Sequence, residues 1–341
     1  MCERLNIMNK FIPLIMLALI SCVPPTLPEK EITTYRRAVT INNKGKQLAN
    51  YQVPITLNTQ DIISAGKMRM DCGDIRLYDS NSRTRLNYWI EHGCNSKDTL
   101  IWVRVPSIPK GSKTIFITYG NPTLRSASNG ERTFEFFDDF NGTALDKKKW
   151  ELYGDSSGGG GGKPEVNISN GILAINGDAI NDGEGIKTVL PLPPPFAYKV
   201  LMRRASGNYD IRAGVGFPSK SGYGASLGIG NYGKEWRHVV LTSSPADYTF
   251  GTADNNWHTF ENIICRRDNI ANISGVMSNH NIPGEKMEDI LSEFTLSVWS
   301  QNGATTLEAD WVFIRKCAFV EPTAQVGGEE VVLERRGDVA F

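Results

Sequence analysis

Short runs of alternating apolar and polar residues recur along most of the chain, the two-residue period of a half-buried β-strand. Val39 and Ile41 alternate with Thr40 and Asn42, and Val53, Ile55 and Leu57 repeat the pattern. Further apolar stretches follow at Ile75-Arg76-Leu77-Tyr78, Leu86-Asn87-Tyr88-Trp89-Ile90, Ile101-Trp102-Val103-Arg104-Val105 and Thr114 to Tyr119. Turn formers such as Asn43-Lys44-Gly45 and Pro109-Lys110-Gly111 separate them, as between strands of a sheet. The pattern predicts a small β-sandwich over residues 35–122, then a polar linker over 123–133.

A second series opens at Phe136-Phe137-Asp138-Asp139-Phe140-Asn141-Gly142, where the aromatics can enter a core and Asn-Gly turns the chain towards Trp150. Strands are predicted at 171–175, 198–202, 211–217, 257–266, 294–299 and 310–314. They predict a larger sandwich over 134–320, with a loop at Ser156 to Gly162, a proline-rich crossover at Leu190 to Pro195 and one helical turn at Met287 to Leu291. No helix of useful length is predicted. Residues 321–341 are charged and glycine-containing and are expected to form a loose tail. The predicted class is all-β.

Composition supports this picture. A chain of 341 residues can bury two cores, and 33 glycines with 17 prolines suit a turn-rich β protein. The formal net charge is zero and 22% of residues are charged. No electrostatic footprint for nucleic acid results.

The N-terminus reads as a targeting segment. Arg4 and Lys10 precede an apolar run from Phe11 to Ile20, too short to cross a bilayer as a helix. The run ends in Leu19-Ile20-Ser21-Cys22, which resembles a bacterial lipobox. That resemblance implies a signal peptide over 1–21, lipidation of Cys22, a tether over 22–34, and a place in the cell envelope facing outside the cytoplasm. An ordinary secretory signal and a short membrane anchor are the alternatives. With Cys2 removed and Cys22 lipidated, Cys72, Cys94, Cys265 and Cys317 remain, an even number for an oxidising compartment. Three pairings are possible. Two cysteines fall in each expected domain, which favours Cys72–Cys94 and Cys265–Cys317, with two buried free thiols as the alternative for the second pair.

The first domain carries a family resemblance in Tyr35-Arg36-Arg37, Asp71-Cys72-Gly73-Asp74-Ile75-Arg76, Tyr88-Trp89-Ile90-Glu91, Ile101 to Pro106 and Tyr119-Gly120-Asn121-Pro122. It resembles the prokaryotic surface domain known as domain of unknown function 2341, a family that implies architecture and no settled activity. The stretch from Phe136 to Trp150, the strand at Asn170-Gly171-Ile172-Leu173 and the strand at Asp310-Trp311-Val312 resemble concanavalin A-like lectin/glucanase jelly rolls. In such folds the ends of the first and last strands lie together, away from the ligand face. That places Asp138, Asp139 and Asp310 as candidate ligands of a structural calcium ion. The plainer reading is that Asp139 caps a turn and Asp310 pairs with a basic residue.

Catalytic signatures are weak. Related hydrolases carry catalytic carboxylates on one strand in a Glu-x-Asp-x-x-Glu or Glu-x-Asp-x-Glu spacing, which this sequence lacks. Gly224-Ala225-Ser226-Leu227-Gly228 matches a nucleophile elbow, but no helix is predicted after it. His92, His238, His258 and His280 have no zinc spacing. A glycan-binding face is the leading expectation. Tyr209, Tyr223, Asn231, Tyr232, Trp236 and Arg237 offer rings and polar groups in a glycine-rich segment. About half must face inward by alternation. The expected function is a lipid-anchored, non-catalytic binder of a glycan or envelope polymer. A hydrolase or lyase with an unfamiliar site, or a structural envelope component, is the alternative.

Overall fold

A computed structural model describes residues 32–154, 164–177, 182–192, 195–215, 224–230, 232–241, 246–265, 268–281, 293–300 and 304–334. The lipobox and Cys22, Tyr223, Asn231, the 156–162 loop and the 287–291 turn lie outside these residues.

The chain starts with β1 (Ile32–Asn43) and β2 (Leu48–Leu57), then a short helix α1 (Thr59–Ser64). The strands β3 (Arg76–Tyr78), β4 (Arg85–Leu86), β5 (Tyr88–His92), β6 (Thr99–Ile108) and β7 (Gly111–Tyr119) complete the first run. The turn α2 (Gly130–Thr133) leads into β8 (Phe136–Asp138), β9 (Trp150–Gly154), β10 (Glu165–Ser169), β11 (Ile172–Asn176) and β12 (Asp182–Thr188). Next come β13 (Phe196–Ser206), β14 (Asp210–Val215), β15 (Gly224–Gly230), β16 (Glu235–Leu241) and β17 (Ala246–Thr252). The last are β18 (His258–Cys265), β19 (Asp268–Ile273), β20 (Val276–Asn281), β21 (Phe294–Ser300), β22 (Thr306–Lys316) and β23 (Thr323–Glu334).

Four sheets result. Sheet A has the order β23-β1-β7-β3-β4 and sheet B the order β2-β6-β5. Sheet C runs β10-β11-β22-β13-β18-β19-β20, with β8 also on β22, and sheet D runs β17-β16-β15-β14-β21-β12-β9. Sheets A and B enclose one core, in which Val39, Ile41, Ile115 and Ile117 meet Val53, Ile55, Ile101 and Val103. Sheets C and D enclose the other, with Leu173, Val200, Phe260 and Val312 against Ile211, Leu227, Leu296 and Val298. The protein is therefore all-β, a small sandwich joined to a jelly-roll sandwich. Alternation explains both cores, since each strand sends every second side chain inward.

Residues 323–334 of the expected tail form a strand rather than a loose segment. β23 returns to sheet A and pairs antiparallel with β1, placing Glu330 opposite Arg36 and Glu329 opposite Arg37. The charges that suggested solvent instead match the arginines of β1. Glu329 also accepts from Tyr119 Oη at 2.7 Å and pairs with Lys67. The jelly roll is thus inserted between β7 and β23 of the small sandwich.

The two sandwiches also stack, through the outer faces of sheets B and C. Trp89 and Trp102 from sheet B meet Phe134, Phe137, Trp311 and Phe313. Phe313 lies parallel to Phe134 at 4.0 Å, and its edge contacts put Trp102 at 5.4 Å and Trp89 at 5.9 Å. Polar contacts border this seam. Glu91 accepts from Trp102 Nε1 at 2.6 Å and pairs with Lys199 at 2.5 Å. Buried Arg315 pairs with Glu321 at 2.9 Å and lies 5.2 Å from the Trp102 ring centre. Disulfides join Cys72 to Cys94 and Cys265 to Cys317. The second fastens β18 to the chain where it leaves β22.

Candidate functional site

The outer face of sheet D gathers charged and aromatic side chains at one end. On β14, Ile211, Ala213 and Val215 enter the core, so Asp210 and Arg212 point outward. On β21, Phe294, Leu296 and Val298 are in the core, which leaves Trp299 outward, half-buried and paired across the ladder with Asp210. On β16, Trp236 and Val240 are in the core and Glu235 and Arg237 face out.

These groups are held to one another. Arg212 Nη2 donates to Asp210 Oδ2 at 3.1 Å. Arg237 donates from Nη1 to Glu235 at 2.9 Å and from Nε to Asp247 at 2.7 Å, and Thr249 Oγ1 donates to Glu235 at 2.8 Å. Gly230 lies between Asp210 and Glu235 on the intervening strand. A Cβ there would come within 2.6 Å of Arg237 Cγ and 3.4 Å of Asp210 Oδ2, so the glycine lets both side chains lie across β15. Burial raises the Asp210 carboxyl above its ordinary value of 3.8, against the opposing pull of Arg212.

Two of the predicted rings border this end. Tyr209 precedes Asp210, and Tyr232, 60% exposed, occupies the β15–β16 turn at φ 55°. Their rings meet edge to face at 5.9 Å. Buried Arg204 supports them: its Nη1 donates to the Tyr209 carbonyl at 3.4 Å, and its guanidinium binds Asn255 Oδ1 at 2.8 and 3.1 Å. A Cβ at Gly233, φ 76°, would collide with Arg204, which makes that turn specific for glycine.

Trp236 does not join the face. It is 8% exposed and packs on His258 at 5.1 Å and Phe250 at 6.5 Å, because its position alternates with Glu235 and Arg237. Trp299 was missed in the sequence. Its signal was available: Phe294, Leu296 and Val298 fill the inward positions, so the adjoining indole must face the other way. Gly224 to Gly228 is extended strand in β15, without the strand-to-helix turn that a nucleophile elbow requires.

The acids at the strand ends are only partly together. Asp138 Oδ1 accepts from the Phe140 amide at 2.9 Å and Oδ2 from Trp150 Nε1 at 2.7 Å. Both oxygens therefore fasten the end of β8 to the jelly-roll core. Asp139 Oδ1 accepts from the Asn141 amide at 3.4 Å. Burial, with the Asp139 charge added, raises the Asp310 carboxyl. Among the described residues no cluster of three or more His, Cys, Asp or Glu forms. Asp138 is held by the Phe140 amide and Trp150, which leaves Asp139 and Asp310 as the two acids that act on each other at these strand ends.

The architecture defines an all-β protein whose jelly roll carries a charged and aromatic outer face on sheet D. Residues 71–153 match the family described as Domain of unknown function (DUF2341). That stretch crosses from the small sandwich into β9 and includes Trp89, Trp102, Phe134 and Phe137 of the seam. No curated protein matches the chain. Solved structures similar to part of this chain include SCLam, a non-specific endo-β-1,3(4)-glucanase from family GH16. It has 13% identity and a TM-score of 0.42, over 53% of this chain and 89% of that one. An endo-β-1,3-glucanase from Pyrococcus furiosus is 13% identical with a TM-score of 0.43, over 54% of this chain and 94% of that one. A laminarinase from Flavobacterium sp. UMI-01 is 12% identical with a TM-score of 0.42, over 54% of this chain and all of that one. Likeness at this level leaves the chemistry of this chain to its own residues.

Proposed function

We propose that the protein binds a glycan, without cleaving it, on the outer face of sheet D. The observation that carries this reading is Trp299, a half-buried indole beside Asp210 on a face whose other groups are already fixed by mutual hydrogen bonds. A sugar offers an apolar ring face to an indole and hydroxyls to carboxylates and guanidinium groups. Aromatic platforms with a few placed polar groups suit that ligand, and side chains already held in place lose little freedom on binding. Tyr232 and Tyr209 extend the aromatic border.

Binding is favoured over cleavage by the state of the acids. Glycoside hydrolysis uses one protonated carboxyl and one available carboxylate. Here Arg212 bonds to Asp210, while Arg237 and Thr249 hold Glu235 and Arg237 holds Asp247.

The test is affinity electrophoresis of the chain from Glu29 onward against soluble polysaccharides, with product release measured in parallel. Trp299→Ala should lose retardation by the glycan that retards the parent, and no reducing ends should appear. Equal retardation of parent and variant would remove the site from this face.

Lipidation of Cys22 is part of the same proposal. Residues 22–31 could then span at most roughly 35 Å between membrane and β1. The two disulfides suit the oxidising side of that membrane. Cys22→Ser should shift the protein from the membrane to the soluble fraction; unchanged fractionation would refute the anchor.

A further inference from the structure

Among the described residues, part of the outer face of sheet C beside the seam is uncovered and forms an open groove of about 690 Å³. The groove crosses β10, β11, β22 and β13 to reach Trp257, just before β18. Four strand spacings make it roughly 19 Å long. Ile172, Ala174 and Leu201 form its apolar floor. Asn167, Ser169 and Asn170 line one side, and Trp257 with Arg203 the other.

Each part of this lining has a structural cause. The β10–β11 hairpin turns through Asn170 and Gly171 at φ 54° and 76°, the two-residue connection whose twist matches that of the strands. Val166 and Ile168 pack inward, which turns Asn167 and Ser169 to the groove. On the far side the Arg203 guanidinium lies 4.9 Å from the Trp257 ring centre and is itself fixed by Glu308, at 2.7 Å through Nη2. The indole is therefore braced on one side and half-exposed.

We propose that this groove is a second glycan-binding site, separate from sheet D, that takes a neutral oligosaccharide lying across the strands between Trp257 and Asn170. The backbone explains why a sugar fits better than an extended peptide. β11 is hydrogen-bonded to β10 and β22, and β22 to β13. A ligand here meets side chains rather than free ladder groups. Those side chains are amides, a hydroxyl, carboxyls and an indole, which match hydroxyls and a ring face. Charge selects neutral glycans: Glu308 balances Arg203, while Asp310, with Asp139 near, makes the groove acidic. A uronate or sulfate would be repelled.

The test is affinity electrophoresis of the full chain in gels containing dextran, galactomannan or hydroxyethylcellulose, with polygalacturonate as the anionic control. At least one neutral polymer should retard the parent, and polygalacturonate should not. Trp257→Ala should weaken that retardation at least ~10-fold, as expected for an aromatic anchor. Asn170→Gly, which keeps the left-handed turn while deleting the amide, should weaken it severalfold. Met277→Ala, on a hairpin at 65% exposure, is the folding control. Trp299→Ala separates the two faces. If retardation falls in Trp299→Ala and persists unchanged in Trp257→Ala and Asn170→Gly, the groove is overturned and the sheet D reading stands. The opposite result keeps the groove and removes sheet D. A fall in both supports two sites, and no retardation by any neutral polymer overturns the groove.

Discussion

The seam between the sandwiches should govern how the whole chain unfolds, and Phe313→Ala tests this directly. Phe313 is fully buried, stacked on Phe134 at 4.0 Å and Trp311 at 5.6 Å, and touched by the edges of Trp89 and Trp102. Such a truncation removes the ring and leaves a cavity lined by four other aromatics, at a cost of about 3–5 kcal/mol. In a unit of this size each kcal/mol shifts the midpoint by about 2–4 °C. Scanning calorimetry of the full chain should therefore show a fall of roughly 10 °C. The profile should also change shape. With the seam intact, neither sandwich can expose its outer aromatics independently, so one transition is expected. With the seam weakened, two should separate. Phe313→Leu keeps much of the apolar volume and should cost less. A fall no larger than that of Met277→Ala, or two resolved transitions already in the parent, would refute the coupling.

Asp210→Asn tests the binding face through stability. Burial raises the folded pKa of Asp210 above 3.8, so the folded chain holds this proton to higher pH and loses stability as pH rises through the folded pKa. The variant should therefore melt higher than the parent at pH 7 and lose that advantage below pH 3.8; an equal advantage at both pH values would contradict the assignment. Reducing or replacing Cys72–Cys94, whose sequence separation is 22, should cost about 3 kcal/mol in the chain-entropy description, read as a lower denaturant midpoint; an unchanged midpoint would show that the bridge adds nothing. Truncation after Pro322 removes β23 and opens the β1 edge, a template for pairing with another chain. Size-exclusion chromatography should show self-association, whereas a stable monomer would mean that β23 is dispensable.

Much of the fold was legible because a sheet with one dry face writes its period into the chain. Val53, Ile55 and Leu57 on β2, and Phe294, Leu296 and Val298 on β21, are inward positions of this kind. Site residues were harder, since composition does not reveal a ring's direction. The glycine-rich segment drew attention to Trp236, which its own alternation turns inward, and away from Trp299 on a distant strand. The seam left a signal that went unread: Tyr88-Trp89-Ile90 and Ile101-Trp102-Val103 are apolar at successive positions, as expected of strands covered on both faces. β23 left almost none. Its pairing rests on Glu329 and Glu330 meeting Arg37 and Arg36 nearly three hundred residues earlier, a long-range match that local pattern cannot show.

One irregularity in β22 creates both the seam and the groove. Before it, Leu307 and Ala309 face the jelly-roll core and Glu308 faces out; after it, Val312 and Ile314 face the core. Strict alternation from Leu307 would have sent Trp311 and Phe313 inward as well. Instead the register with β13 shifts, so that Leu201 opposes Trp311 while Met202 opposes Ala309. Asp310 is the extra residue of this bulge. A one-residue slip exchanges the two faces of a strand, and bulges commonly re-aim side chains in this way. The shift turns Trp311 and Phe313 out to meet sheet B. Sheet B has three strands against the eight of sheet C, so its cover ends near Leu201. Beyond that edge the same strand presents Asp310 and Glu308 to solvent, where β10 and β11 add amides. The groove is thus the remainder of a face that the small sandwich only partly covers, and the bulge separates its polar lining from the aromatic seam.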